Sequence, residues 1–265
     1  MTRYATVLAV MLASALATTP ALAKGAFDGT WKGDVQASQP SRKPSILLVQ
    51  AGMFSCTTCK PALKFPADGA FHRIVGNPYY DEASVAVVDP ATLKRAFRKA
   101  GKTVAETTVT LAADGQSSSS AFVDRTAPNG VEVTGTTVSA RVAPAPPGAH
   151  ALSGAWRETT DTQVSDSGLV FTFAQEGKTM SFSTPTGISY AATIDGPPAT
   201  VTGDPGWTKV ALKQTGPTTL FETDYEGDTA IGTYSMSLSP DGKTLTNTVN
   251  DLKNGKTSTM IAHKQ

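Results

Sequence analysis

A short phrase occurs twice in this chain, 125 residues apart. Phe27-Asp28-Gly29-Thr30-Trp31-Lys32 is matched by Leu152-Ser153-Gly154-Ala155-Trp156-Arg157. Further matches follow in the same order at offsets of 125 or 127 residues. Gly76-Asn77-Pro78 pairs with Gly203-Asp204-Pro205, and Val85-Ala86-Val87 with Val210-Ala211-Leu212. Leu111-Ala112-Ala113-Asp114-Gly115 pairs with Leu238-Ser239-Pro240-Asp241-Gly242. Ordered matches with so little drift define an internal repeat, which restricts the chain to folds built from two similar units. Between the copies runs Ala143-Pro144-Ala145-Pro146-Pro147-Gly148, a stretch that resists helix and sheet and reads as a stiff linker. The expected organisation is a first unit over 24–142, a linker at 143–148 and a second unit over 149–265. Each unit is long enough to close its own core.

Within each unit the apolar period is two. Ala230, Gly232, Tyr234, Met236 and Leu238 alternate with Ile231, Thr233, Ser235 and Ser237, and Thr103 to Leu111 is the counterpart. About one residue in seven is threonine, a β-branched residue that favours strands. Asp114-Gly115, Asp241-Gly242 and Asn254-Gly255 supply tight turns. These signals predict an all-β chain of antiparallel meanders, closed as barrels or folded as sandwiches. The segment Asp89 to Gly101 carries helix signals, with Pro90 in the first turn and Leu93 and Phe97 four apart. Its repeat partner, Gly216 to Tyr225, has none of that propensity. A shared fold therefore predicts a strand, with Leu93, Arg95 and Phe97 on one face, and leaves a short helical insertion as the competing outcome.

Residues 1–23 have the form of a secretory leader: Arg3, an apolar stretch from Tyr4 to Leu16, and the small-x-small site Ala21-Leu22-Ala23. The apolar part is short for a membrane span, and no later segment is long enough. Cleavage leaves 242 residues with 22 basic and 22 acidic side chains, since Arg3 is the only charge removed. The expected protein is periplasmic or secreted, in a compartment where disulfides persist. Its balanced charge gives no footprint for nucleic acid or an anionic membrane surface.

Gly29-Thr30-Trp31 and Gly154-Ala155-Trp156 each open a unit, and each unit ends on a strand with a cation, Arg141 or Lys264. This arrangement resembles the lipocalin and calycin barrels, in which a first-strand G-x-W tryptophan packs beneath a cation from the last strand. The resemblance implies two tandem antiparallel lipocalin-like β-barrels. Their floors would be closed by Trp31 with Arg141 and by Trp156 with Lys264. The chain is also similar to a family of uncharacterised exported bacterial proteins built from two such halves. That similarity is carried by the Phe27–Trp31 phrase, Cys56-Thr57-Thr58-Cys59, Gly76 to Asp81, Ser183 to Gly187 and the Asp-Gly turns. It brings no activity with it.

Cys56-Thr57-Thr58-Cys59 is the one chemically suggestive motif. Three readings stay open: a structural disulfide, a redox pair, and a soft-metal site with Met53 or His72. Two cysteines in an exported chain make the disulfide the simplest. Asp81 and Glu82 are adjacent, point to opposite faces of a strand, and are poorly placed for shared acid–base work. Lys94, Arg95, Arg98, Lys99 and Lys102 read as a charged edge protected against aggregation. The chain has no G-x-S-x-G, H-E-x-x-H, phosphate loop or dinucleotide fingerprint, so no catalytic residue, cofactor or metal is assigned. The expected function is a non-catalytic binding module holding a small apolar or amphipathic ligand in a barrel. The alternatives are a structural or interaction protein of the cell envelope with filled barrels, and a redox or metal-handling protein using the cysteine pair.

Overall fold

Alternation of period two becomes strand along almost the whole chain. The computed structural model describes residues 25–265, and the expected leader lies outside the described residues. In chain order the strands begin with β1 (Gly29–Gln39), β2 (Ser45–Gln50), β3 (Met53–Cys56), β4 (Leu63–Pro66), β5 (His72–Arg73), β6 (Glu82–Asp89) and β7 (Thr92–Lys99). Next come β8 (Lys102–Leu111), β9 (Ser117–Asp124), β10 (Val133–Ala143), β11 (Gly154–Glu158), β12 (Gln163–Val164), β13 (Val170–Glu176) and β14 (Thr179–Ser183). The series ends with β15 (Ser189–Thr193), β16 (Ala199–Thr202), β17 (Lys209–Gly216), β18 (Thr219–Glu226), β19 (Thr229–Leu238), β20 (Thr244–Asp251) and β21 (Lys256–Lys264). One 3₁₀ turn, Asp166–Gly168, is the sole helical element among the described residues. The segment with helix signals is strand β7, its buried Leu93 paired with Val87 and Val109.

These strands make two ten-stranded antiparallel barrels. One is closed, in the order β1, β13 through β21, and back to β1. The other runs β4-β3-β2-β11-β10-β9-β8-β7-β6-β5 and is nearly closed, with β12 added beside β10. Ten strands per barrel exceed the eight of a lipocalin.

The order overturns one detail of the expected organisation. β1 belongs to the barrel made by the second half of the chain, between β13 and β21. β11, which opens the second half, belongs to the first barrel, between β10 and β2. The two barrels therefore exchange their opening strands, and the Pro-rich stretch at 143–148 lies inside the first barrel, in the β10–β11 connection. The sheets do not part there, so the division into 24–142 and 149–265 describes neither barrel. The near-identity of the opening strands is the physical reason. Both carry a Gly at positive φ, +130° at Gly29 and +124° at Gly154. Both aim an indole N–H at the backbone oxygen four residues earlier, Trp31 Nε1 to Phe27 and Trp156 Nε1 to Leu152, each at 2.9 Å.

The cores follow the exchange. Phe27 and Trp31 pack with Met180, Leu212, Leu220 and Leu245 in the closed barrel. Leu152 and Trp156 pack with Val49, Phe54, Val85 and Leu93 in the other. The pairing of tryptophan and cation is corrected in the same way. Lys264 Nζ lies 5.0 Å from the Trp31 ring, and Arg141 Cζ lies 4.2 Å from the Trp156 ring. Cation and indole do meet in each barrel, but each cation meets the tryptophan of the other half.

Candidate functional site

The closed barrel contains an acidic cavity that the motifs do not announce. β18 alternates so that Leu220, Glu222 and Asp224 face inward and are buried, at 2%, 5% and 4% exposure. Carboxylates at such depth are normally paired with a cation. Here no described cation comes within ion-pair distance of either. Glu222 Oε2 accepts a 2.7 Å hydrogen bond from Tyr190 Oη. Asp224 Oδ1 makes no hydrogen bond within 3.5 Å, and neither does the indole Nε1 of Trp207 or the amide Oδ1 of Asn247, although Glu222, the Tyr234 hydroxyl and the Trp207 indole stand near enough to act on Asp224.

These orphaned atoms converge on one cavity of about 180 Å³. Its wall is aromatic, with Phe171, Phe173, Phe182, Trp207 and Tyr234 around the two acids. Phe182 stacks on Tyr190 at 5.1 Å, and Trp207 stands edge-on to both, at 6.0 and 5.7 Å. Phe171, Phe182 and Met260 also line a larger cleft of about 420 Å³ at the junction of the barrels. They therefore form the wall between the cavity and that cleft.

Burial raises both carboxyls well above the ordinary carboxylate range, Glu222 to about 7 and Asp224 to about 9. For Asp224 the charge of Glu222 adds to the effect. Two like charges two residues apart on one strand face resist joint ionisation, so the pair titrates as a unit and holds a proton at neutral pH. Burial and the same acids push the hydroxyls of Tyr190 and Tyr234 upward, so both remain protonated donors.

The first barrel has a cavity at the corresponding place. Cross-strand partners match at a constant offset of 127 residues. Val85–Arg95 corresponds to Leu212–Glu222, Arg95–Thr107 to Glu222–Tyr234, and Thr107–Phe122 to Tyr234–Val249. Arg95 thus occupies the position of Glu222, and Tyr80 that of Trp207. β7 lies between β6 and β8, so the basic cluster is not the charged edge that the sequence suggested. Arg95 faces the barrel interior, and its Nε has no hydrogen-bond partner.

The other residues singled out by sequence are placed as follows. Cys56 and Cys59 form a disulfide at the end of β3, with Cys56 packed into the first barrel's core. His72 bonds Asp68 at 2.9 Å and stacks on Phe65, away from the cysteine pair's sulfur atoms in its contacts. Trp31 lies under Lys264 and Trp156 under Arg141, one such pair in each barrel. Arg141 also donates to the carbonyls of Gly115, Ala151 and Ser153, at 2.6–2.9 Å. Asn77 and Asp204, 127 residues apart, each accept backbone N–H bonds in a tight turn, Asn77 from Tyr79 and Tyr80, Asp204 from Gly206 and Trp207. Sequence reasoning missed Glu222, Asp224, Tyr190, Trp207, Tyr234 and Asn247. The signal for the acids lay in the matched offsets, since Leu93, Arg95 and Phe97, expected on one strand face, align with Leu220, Glu222 and Asp224. No protein-family model, curated protein or solved structure matches the chain.

Proposed function

We propose that this is an exported, non-catalytic, lipocalin-like binding protein whose closed barrel holds a small amphipathic ligand bearing a cationic nitrogen. The observation that carries this reading is the unpartnered Asp224 Oδ1 beside Glu222 in an aromatic-walled cavity. With no cation beside them the two acids keep a proton, because burial disfavours their ionised form. A bound ammonium would favour that ionised form and pair with it, and the ring faces would add cation–π attraction of about 0.5–2 kcal/mol. The remaining aromatic wall suits an apolar body. A cavity near 150 Å³ holds one benzene-sized ring, so about 180 Å³ suits a single ring with a short arm. The cleft shared by Phe171, Phe182 and Met260 is the proposed approach.

Calorimetric titration with benzylamine, benzyl alcohol and benzoate tests it, since the three share a ring and differ in charge. Benzylamine binds, the alcohol binds at least tenfold more weakly, and benzoate does not bind. The double variant Glu222→Gln, Asp224→Asn loses the preference for the amine. Equal binding of all three, or of none, would sink the proposal.

A further inference from the structure

We propose that the first barrel contains a second ligand site, one for a small oxyanion of the carboxylate or sulfate type, built around Arg95 and independent of the acidic cavity. The site is a hollow of about 250 Å³ inside the barrel, between β2 and the run from β7 to β11. Arg95 enters it from β7, and the neighbouring strands present hydroxyls: Thr107 from β8, Ser118 and Ser120 from β9, Thr137 and Ser139 from β10. All five point inward because they alternate on their strands. Glu158 is the one carboxylate on the lining, and it stands exposed at the end of β11.

Three facts about Arg95 point to an anion. Its Nε is shut off from solvent and has no partner. No described carboxylate acts on it, and the only polar group whose charge bears on it is the Tyr80 hydroxyl. Guanidinium cannot shed its proton under ordinary conditions, so Arg95 brings a standing positive charge to the hollow. A guanidinium fork matches carboxylate and sulfate oxygens in geometry, and hydroxyls that can turn toward an oxyanion complete the shell. The hollow has room for about eight waters' share of volume, enough for sulfate or a carboxylate of a few carbons. The aromatic wall of the closed barrel gives way here to hydroxyls around Arg95, with Phe122, Leu152 and Trp156 on the remaining side. The preferred ligand therefore places an oxyanion at Arg95 and has room for a short apolar end.

The test uses the intact protein titrated with sodium sulfate and, separately, sodium acetate, against sodium chloride at matched ionic strength. NMR follows the Arg95 Nε–H resonance of the wild type, so the readout does not depend on a variant folding. A saturable shift with sulfate, acetate or both is expected, and whichever anion binds more tightly identifies tetrahedral or planar preference. Arg95→Lys keeps the charge without the fork and weakens binding at least tenfold, and Arg95→Gln abolishes it. Glu222→Gln leaves anion binding unchanged, which separates this site from the amine pocket. A resonance that moves no more with sulfate and acetate than with chloride overturns the proposal, as does undiminished binding by Arg95→Gln.

Discussion

The two barrels share a frame and differ in what they enclose. From β6 to β9 and from β17 to β20 the cross-strand partners coincide at one offset, and each barrel contains a tryptophan under a cation. Inside, the equivalent positions hold Arg95 and Glu222, Phe97 and Asp224, Tyr80 and Trp207. The first interior sets a cation among hydroxyls and a few apolar side chains, the second sets two acids among rings. Closure is thus solved once and used twice, while the charge at the centre is inverted. Two sites of opposite sign can coexist in one chain because each is walled off by its own barrel.

The heaviest test of this comparison strikes the shared part. Trp31 is fully buried and Trp156 nearly so, and truncating a buried tryptophan to alanine costs about 3–5 kcal/mol. Trp31→Ala and Trp156→Ala should destabilise to similar extents but in opposite barrels. Because the opening strands are exchanged, Trp31→Ala loosens the region from β13 to β21, and Trp156→Ala loosens β2 to β10. Hydrogen exchange read segment by segment decides this. Loss of protection in β2 to β10 on Trp31→Ala would show that each half keeps its own strand.

That exchange also marks how far the sequence could be read. Strand class, turns, the two-unit plan and the cysteine pair were legible, since period, turn residues and cysteine count are local signals. That each tryptophan meets a cation was legible too, but which cation was not. Trp31 with Arg141 and Trp31 with Lys264 have the same chemistry, and two opening strands this similar give no basis for choosing between slots. The acids of β18 were hidden for a different reason. A composition with 22 acids makes no single one conspicuous, and Glu222 and Asp224 matter only because strand alternation places them on the face that Leu220 identifies as inward. Arg95 was visible within a basic cluster, and its neighbours in sequence disguised it as surface.

A second test sharpens the contrast of interiors through pH. In the unfolded chain Glu222 and Asp224 ionise near 4.5 and 3.8, whereas in the barrel they hold protons to about 7 and 9. Well below the ordinary carboxylate range both states are protonated and the pair costs nothing. As pH rises the unfolded chain ionises first, so the native state binds more protons and stability falls, until the folded pair itself ionises. The double variant Glu222→Gln, Asp224→Asn removes this loss. Its stability relative to wild type should therefore rise steadily between pH 4 and pH 9. Arg95→Gln should show no such trend, because guanidinium stays charged throughout that range. Urea unfolding at several pH values reads both, and parallel profiles for wild type and the double variant would contradict the burial of the acids.

The disulfide belongs to the first barrel alone, so its removal is a one-sided perturbation. The Cys56–Cys59 link spans a sequence separation of three, and the chain-entropy cost of such a short loop is about 2 kcal/mol. Cys56→Ser with Cys59→Ser should lower stability by about that amount and loosen β3 and β4. Benzylamine affinity in the closed barrel should stay the same. A changed amine affinity would mean that the barrels are coupled more tightly than their separate cores suggest.

The smallest effect probes whatever coupling does exist. Tyr79 Oη, from the first barrel, donates at 2.8 Å to Asp204 Oδ1 in the second. The same oxygen accepts the N–H groups of Gly206 and Trp207, at 2.8 and 2.9 Å, and so sets the turn that presents Trp207 to the acidic cavity. Tyr79→Phe leaves those two bonds in place, so the loss should be near 1 kcal/mol, the ordinary net value of one hydrogen bond. Amine affinity should fall by less than threefold, because the turn keeps its backbone donors. Asp204→Ala removes all three bonds and frees the indole, so it should weaken the amine more than Tyr79→Phe does. If the two variants weaken binding equally, the tyrosine rather than the turn positions Trp207, and one barrel helps to shape the other's site.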